Sequence, residues 1–303
     1  MSEELTSPQV VDDLVDSHDV NQAFKDIFCG TVGGFAQVLV GQPFDITKVR
    51  LQTSPVPSTA VEVIKNLVKN EGILAFYKGT LVPLVGVGAC VSCQFGINEA
   101  MKRHFRRDHT ESDQTLTLSQ YYTCGFVSGF ANAFLASPIE HVRIRLQLQT
   151  KSLDKAEYRG CIDCTKKLLQ GGALMRGLSA TMLRTSHGFG VYFATYEALI
   201  ANQAHHGVLR QEIPAWKVCL YGAFSGAFFW AMTYPFDVIK SVMQADSLKS
   251  PKYGRTVFSV ARSIRRERGI GAFLKGFWPT MLRSLPVNGA TFAAFETAMR
   301  LIN

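Results

Sequence analysis

Four long stretches of this 303-residue chain contain no Asp, Glu, Lys or Arg: residues 27–44, 79–98, 114–139 and 218–236. Two more, residues 177–196 and 276–295, hold one arginine each. Charged residues make up 18% of the chain against 47% hydrophobic, which is apolar for a protein kept in solution. A bilayer core of about 30 Å takes about 20 helical residues, so six membrane-spanning helices fit. Gly and Pro inside such runs would weaken helices in water but are common in membrane ones. The competing reading is a large soluble helical bundle.

Other absences narrow the function. The first 22 residues carry six acids and no base. A cleavable transit segment is Arg-rich and a secretory signal opens on bases, so residues 1–22 read as a disordered acidic tail, with targeting left to internal signals. Two Cys-x-x-Cys pairs, Cys90/Cys93 and Cys161/Cys164, lack a following histidine at zinc-finger spacing. Ordinary helix packing is expected of them, and no metal site. There is no nucleophile–base pair and no phosphate-cradling Gly loop, so neither an enzyme nor a cofactor is expected.

What the chain does have is a block written three times. PFDITKVRLQ (43–52), PIEHVRIRLQ (138–147) and PFDVIKSVMQ (235–244) start 95 and then 97 residues apart. Each places an acid two residues after Pro, a base three after that, and Gln four beyond the base. A Gly-x-x-x-Gly precedes each block (Gly30/Gly34, Gly125/Gly129, Gly222/Gly226), and a base–Gly follows it (Lys78-Gly79, Arg176-Gly177, Lys275-Gly276). A glutamate comes 21 residues after each of those bases, at Glu99, Glu197 and Glu296. Recurrence of this kind means a tripled unit of roughly a hundred residues, bounded here as 23–110, 111–208 and 209–303. Gly30, Gly33 and Gly34 in the first span are expected to let a neighbouring helix approach closely, and each Pro to kink its helix.

The net charge of +8 could suggest nucleic acid, but its placement excludes that partner. Of 32 Lys and Arg, 22 fall in residues 44–78, 139–176 and 236–275, the connections within repeats, and 8 in the termini and between-repeat connections. By the positive-inside rule the within-repeat connections face the negative compartment, and six spans then put both termini on the other side.

The tripled Pro-x-Asp/Glu-x-x-Lys/Arg block with its base–Gly resembles the mitochondrial carrier family over residues 23–303. QVLVGQPFDITKVRLQ, LASPIEHVRIRLQ and PAWKVCLYGAFSG are similar to the fungal Ymc-type carriers of the carnitine/acylcarnitine and amino-acid branch. The resemblance implies an all-α membrane barrel of six tilted helices with pseudo-three-fold symmetry and short matrix helices. It also implies the mitochondrial inner membrane as its address, with both termini in the intermembrane space.

Charges within a span are costly and face partners or a water-filled interior. Asp45/Lys48, Glu140/Arg143 and Asp237/Lys240 are therefore expected to meet in one ring at the matrix end, each acid pairing with a neighbouring repeat's base. The simpler alternative is pairing within each helix. Gln52, Gln147 and Gln244 are placed to brace the pairs from below. At the outer end the family's second gate reads aromatic–acid–x–x–base. Here Lys102 follows Glu99, but Ile200 and Met299 stand where bases would follow Glu197 and Glu296, and Asn98 replaces an aromatic, so this gate is expected to be weak.

Counting eight residues past each base landmark gives Gly86, Arg184 and Arg283, which resemblance implies are substrate contact points. Arg184 and Arg283 are the two bases in mid-span, and neither has a carboxylate within four residues on its own helix. A buried guanidinium without a protein partner binds an anion; the alternative is neutralisation by backbone carbonyls or another helix. Gly86 and Val87 would leave room for the body of the ligand. Thr185 stands where carnitine and amino-acid carriers usually have Asp or Glu, which argues against a cationic cargo. His187 reads as a packing residue. The expected function is alternating-access transport of a carboxylate-bearing metabolite, an amino acid such as glutamate or an organic acid, by a monomer in the lipid bilayer. Carnitine/acylcarnitine or basic amino-acid exchange is the runner-up, and an ion-leak or uncoupling protein the reading from another class.

Overall fold

The computed structural model describes residues 20–54, 58–107, 116–149, 157–205, 213–248 and 250–302. Among them are nine α-helices: α1 (Val20–Thr53), α2 (Ala60–Glu71), α3 (Leu81–Arg107), α4 (Leu118–Leu148), α5 (Cys161–Gln170), α6 (Leu178–His205), α7 (Ala215–Ala245), α8 (Val257–Arg268) and α9 (Phe277–Ile302). Residues 1–19 of the expected tail lie outside the described residues, and its last three, Val20 to Gln22, are already helical.

Six helices are long, from 26 to 34 residues. At 1.5 Å per residue even the shortest reaches about 39 Å, more than the bilayer core requires. Pro43, Pro138 and Pro235 lie inside α1, α4 and α7, which continue as helices through them. Among the described residues no single helix is long and apolar enough, averaged over 18 residues, to cross a membrane as an ordinary span. The cause is two-sidedness. On α7, Leu220, Phe224, Phe228 and Met232 recur every fourth residue and are exposed, while Ser225, Thr233, Asp237 and Lys240 are buried. An average over such a helix dilutes its greasy face.

The long helices pack closely as α3 on α4, α4 on α6, α6 on α7 and α9 on α1, and the ring is completed by looser seams between α1 and α3 and between α7 and α9. The first long helix of each repeat (α1, α4, α7) also touches the other two. This is the six-helix barrel expected from the tripled sequence.

Glycine shapes the tightest of these contacts in the second repeat. A Cβ on Gly125 or Gly129 would lie 2.3 Å from the carbonyl oxygen of Phe189 or Thr185, so α4 and α6 meet backbone to backbone. At Gly30 and Gly226 nothing lies within 4 Å, and at Gly222 only the Tyr192 hydroxyl does, at 3.7 Å. Gly30 and the third motif therefore bring no helix close, while Gly33 and Gly34 are buried on α1. The consequence can be measured by thermal unfolding of the purified protein. Gly129→Ala is expected to cost about 1–3 kcal/mol or more by overpacking, whereas Gly226→Ala should be neutral or stabilise by up to about 1 kcal/mol through helix propensity. Equal losses would refute this account.

The short helices follow local rules. Thr59 and Thr256 close capping boxes at the starts of α2 and α8, and Gly72 and Gly269 end them with φ of 82° and 78°. The ten-residue α5 stops at Gly171-Gly172. Leu67 anchors α2 inward while Val61, Ile64 and Val68 stay exposed, a distribution suited to a membrane surface. Cys164 is buried on the inner face of α5, and burial pushes its thiol up to about 12.

Guanidinium groups tie the repeats together where the gate-block helices end. Arg50 donates to the Gln147 carbonyl at 3.1 Å, Arg145 to that of Asp246 at 2.5 Å, and Arg268 to that of Gln52 at 2.8 Å. Each cation caps the C-terminus of the next repeat's helix, where unpaired carbonyls gather negative charge. In the third repeat Val242 occupies the position equivalent to Arg50 and Arg145, and Arg268 supplies the cap instead.

Candidate functional site

The tripled block converges as a closed ring of ion pairs. Arg143 meets Asp45 at 2.9 Å, Lys240 meets Glu140 at 2.7 Å, and Lys48 meets Asp237 at 2.9 Å. Every base answers the acid of the preceding repeat, so pairing runs between repeats. All six side chains are largely buried. At an effective dielectric near 20, a 4 Å pair contributes about 4 kcal/mol before desolvation offsets part of it.

The glutamines do not all brace the ring. Gln52 Nε2 donates to Asp237 Oδ2 at 2.9 Å and to the Tyr234 hydroxyl at 3.3 Å. Gln244 reaches only the Ser137 carbonyl, at 3.4 Å, and both ends of the buried Gln147 amide lack a hydrogen-bond partner. One brace out of three is made, because each amide bonds whatever its neighbouring helix presents at that depth. A brace that sequence reasoning missed is Gln42, whose Oε1 accepts from Arg143 Nη2 while its Nε2 donates to Thr80 Oγ1 at 2.8 Å. Gln42 and Tyr234 both directly precede the block's proline, and that shared position is the signal that could have found them. Trp230 adds its ring face 4.3 Å from Lys48 Nζ.

Arg184 and Arg283 both point into this ring, and neither lacks a protein partner. Arg184 Nη2 lies 3.0 Å from Glu140 Oε1, and Arg283 Nε lies 3.6 Å from Asp45 Oδ1. Gly41 makes room for Arg283, since a Cβ there would sit 3.1 Å from Nη1. The premise of unpartnered guanidinium groups is thus overturned: the carboxylates come from other helices, α4 and α1. Charge nevertheless remains unbalanced. A cavity of about 50 Å³ is lined, among the described residues, by five bases (Lys48, Arg143, Arg184, Lys240, Arg283) and three acids (Asp45, Glu140, Asp237). Its floor carries a surplus of two positive charges, with Glu140 and Asp45 each shared between a ring base and an arginine.

Comparison with known proteins agrees with this three-fold site. A family model described as mitochondrial carrier protein matches the chain three times, over residues 19–109, 114–206 and 211–303. The chain belongs to the mitochondrial carrier family. It is 60% identical over 306 residues to the mitochondrial glycine transporter YMC1 of Saccharomyces cerevisiae, covering 100% of both chains. It is 53% identical to carrier protein YMC2, mitochondrial, of the same yeast, covering 100% of this chain and 99% of that one. Against the glutamate/glycine mitochondrial carrier ymc1 of Schizosaccharomyces pombe it is 44% identical, over 93% of this chain and 96% of that one. It is a multi-pass transporter of the mitochondrial inner membrane and not an enzyme.

Other expected contact residues of this carrier lie differently. Thr185 is fully buried, and its hydroxyl lies 2.8 Å from the Gly129 carbonyl and 2.9 Å from that of Thr181, either of which accepts its one proton. It is a packing residue between α6 and α4, because one helical step turns it about 100° away from Arg184. At Gly86 the space is taken: a Cβ would meet the Ile139 side chain at 2.7 Å. Gly86 therefore admits Ile139 rather than the body of a ligand. The side chain of Val87 lies outside the described residues. His187 is exposed and shares a 2.7 Å hydrogen bond with Tyr122, between the rings of Phe126 and Phe236.

The opposite end of the carrier holds one base between two acids. Lys102 Nζ lies 2.7 Å from Glu99 and 3.8 Å from Glu197, joining α3 to α6. Ile200 is buried beside Tyr196 in an apolar cluster, and the Asn98 amide is buried with neither end hydrogen-bonded. The side chain of Glu296 lies outside the described residues.

Proposed function

We propose that this carrier moves small α-amino acids of the glycine and glutamate class across the inner membrane by alternating access, as a monomer, without a cofactor. The observation that carries the reading is the surplus of two positive charges on a cavity floor whose arginines are held by gate carboxylates. A substrate carboxylate competes with Glu140 and Asp45 for the same guanidinium groups. Arg184 ties α6 to α4, and Arg283 ties α9 to α1, so a substrate that takes them over loosens the even helices from the gate helices. The ion-pair ring is then the matrix gate, closed here, and its rupture is offset by substrate binding. Lys102 with Glu99, Glu197 and Glu296 forms the thinner outer gate, and both termini face the intermembrane space. The curated relatives' names, glycine and glutamate/glycine, support the cargo class.

Lysine, with a net positive charge, meets a repulsive floor, and carnitine, a zwitterion like glycine, is disfavoured by the bulk of its trimethylammonium group. A leak is opposed by three complete gate pairs. In liposomes loaded with unlabelled glycine, labelled glycine and glutamate are expected to exchange in saturably, at least about tenfold faster than carnitine or lysine, which needs only about 1.4 kcal/mol of discrimination. A pH-sensitive dye inside the vesicles should report no proton leak. Carnitine or lysine uptake at the glycine rate would overturn the proposal.

A further inference from the structure

A recurring sequence feature that the ion-pair ring leaves without a role is the base–Gly landmark. Its glycines, Gly79, Gly177 and Gly276, have φ of 78°, 85° and 85°, which side chains disfavour. Each lies against the gate block of the following repeat. A Cβ on Gly79 would sit 3.3 Å from the Arg143 carbonyl oxygen, one on Gly177 2.8 Å from Gln244 Cγ, and one on Gly276 3.3 Å from Lys48 Cγ. The turn before each even helix therefore closes onto the neighbouring repeat and brings its base to that seam.

Two of the three bases reach across. Lys78 Nζ donates to the Gln149 carbonyl at 3.0 Å, and Arg176 Nη1 to that of Ser247 at 2.6 Å. They work beside Arg50 and Arg145, which donate to carbonyls of the same two chain segments. Glu71 gathers Arg50 and Lys78 at the first seam, at 2.5 and 2.6 Å, and Asp246 lies 3.6 Å from Arg176 at the second. The third seam is thinner. Among the described residues the Lys275 side chain makes no hydrogen bond, and at this depth Arg268 reaches over instead, to Gln52. Gln147 and Gln149 lie four and six residues past Arg143, about 6 and 9 Å further along the helix, so these contacts form a layer of their own beneath the ring. They also run the opposite way round: a ring base answers the preceding repeat, and a base of this layer the following one.

We infer that Lys78 and Arg176 are latches of a second matrix gate, which must part as well as the ion-pair ring before cargo can leave, and that the seam between the third and first repeats has no such latch. The inference rests on the alternating access proposed above. Carbonyls at a helix C-terminus gather negative charge, and a cation borrowed from the next repeat holds them only while the two helix ends lie together. Each latch therefore favours the matrix-closed form and touches no substrate.

Arg176→Met keeps the length of the side chain without its charge or donors. Asp246 retains the backbone donors of Ser247, Lys252 and Tyr253, so its loop is expected to hold. The structure is closed at the matrix end, and a lost latch enlarges the minor matrix-open population. In vesicles holding the carrier in one orientation, Arg176→Met and Lys78→Met are each expected to lower the matrix-side KM for glycine about tenfold and to leave the outer-side KM within about twofold. Lys275→Met should change neither. A merely structural role would lower the unfolding temperature without favouring one face, and a shared attraction of these bases for anionic lipid would make the three variants alike. Either result would overturn the latches. A readout that needs no cargo keeps this test separate from the transport proposal. Ser241, 3% exposed, lines the ring cavity. Ser241→Cys in a cysteine-free chain should react with an impermeant maleimide from the matrix face about tenfold faster with Arg176→Met, and no faster with Lys275→Met. That contrast without any glycine exchange would overturn the cargo and leave the latches, whereas equal labelling with both would overturn the latches.

Discussion

Arg184→Ala or Arg283→Ala is expected to reduce uptake of glycine and glutamate by about 100-fold or more while leaving the purified carrier close to normal stability. The two halves of that result have separate causes. Glu140 retains Lys240 when Arg184 is removed, and Asp45 retains Arg143 when Arg283 is removed. Neither gate carboxylate is left as the isolated buried charge that costs a protein about 3–5 kcal/mol. The substrate instead loses one of its two guanidinium partners, and no other group replaces that planar fork. Two charge-assisted hydrogen bonds to its carboxylate are worth about 1.5–3 kcal/mol each, so losing a guanidinium forfeits roughly 3 kcal/mol or more, a factor of 100 and upward. Lysine at either position keeps the charge without the planar fork and should fall between, near a tenfold loss. Labelled uptake into liposomes gives the first quantity and thermal unfolding the second. Undiminished uptake by Arg283→Ala would remove the arginines from the site.

How far this site was legible in the sequence depends on how far each partner lies along the chain. The ring of Asp45, Lys48, Glu140, Arg143, Asp237 and Lys240 could be read because repetition itself puts equivalent residues at equivalent depth. The arginines were found as unusual residues, but their partners were not, since Glu140 is 44 residues from Arg184 and Asp45 lies two repeats away from Arg283. A search for carboxylates within one helical turn cannot see a helix on the other side of a contact. Thr185 shows the opposite limit. Its neighbour in sequence lines the cavity, yet its own side chain turns into the α4 interface. The glutamines fall between: Gln52, Gln147 and Gln244 share a position, but only Gln52 finds a tyrosine hydroxyl and a carboxylate within reach. Register follows from period, whereas the identity of a bonding partner depends on the departures from it.

Reversing one ring pair is expected to have very different consequences from reversing another. Lys48→Ala leaves Asp237, 3% exposed, with Gln52 as its remaining bonded partner among those described above. The cost, about 3–5 kcal/mol, should lower the unfolding temperature by roughly 5–15 °C and abolish coupled exchange. Adding the opposite change, Lys48→Asp with Asp237→Lys, restores an ion pair at the same place. Gln52 can accept through Oε1, which has no partner at present, so about half of the lost stability should return. Recovery stays partial because the Trp230 face that now meets an ammonium would meet a carboxylate. The same reversal at Glu140 and Lys240 should rescue nothing. Glu140 holds Arg184 at 3.0 Å as well as Lys240 at 2.7 Å, and Glu140→Lys would set an ammonium against that guanidinium in a buried site. At 3–4 Å and an effective dielectric near 20, that repulsion is about 4 kcal/mol, as large as the attraction the reversal restores. Equal rescue of both pairs, in unfolding temperature and in glycine exchange, would mean that Arg184 does not bear on the gate.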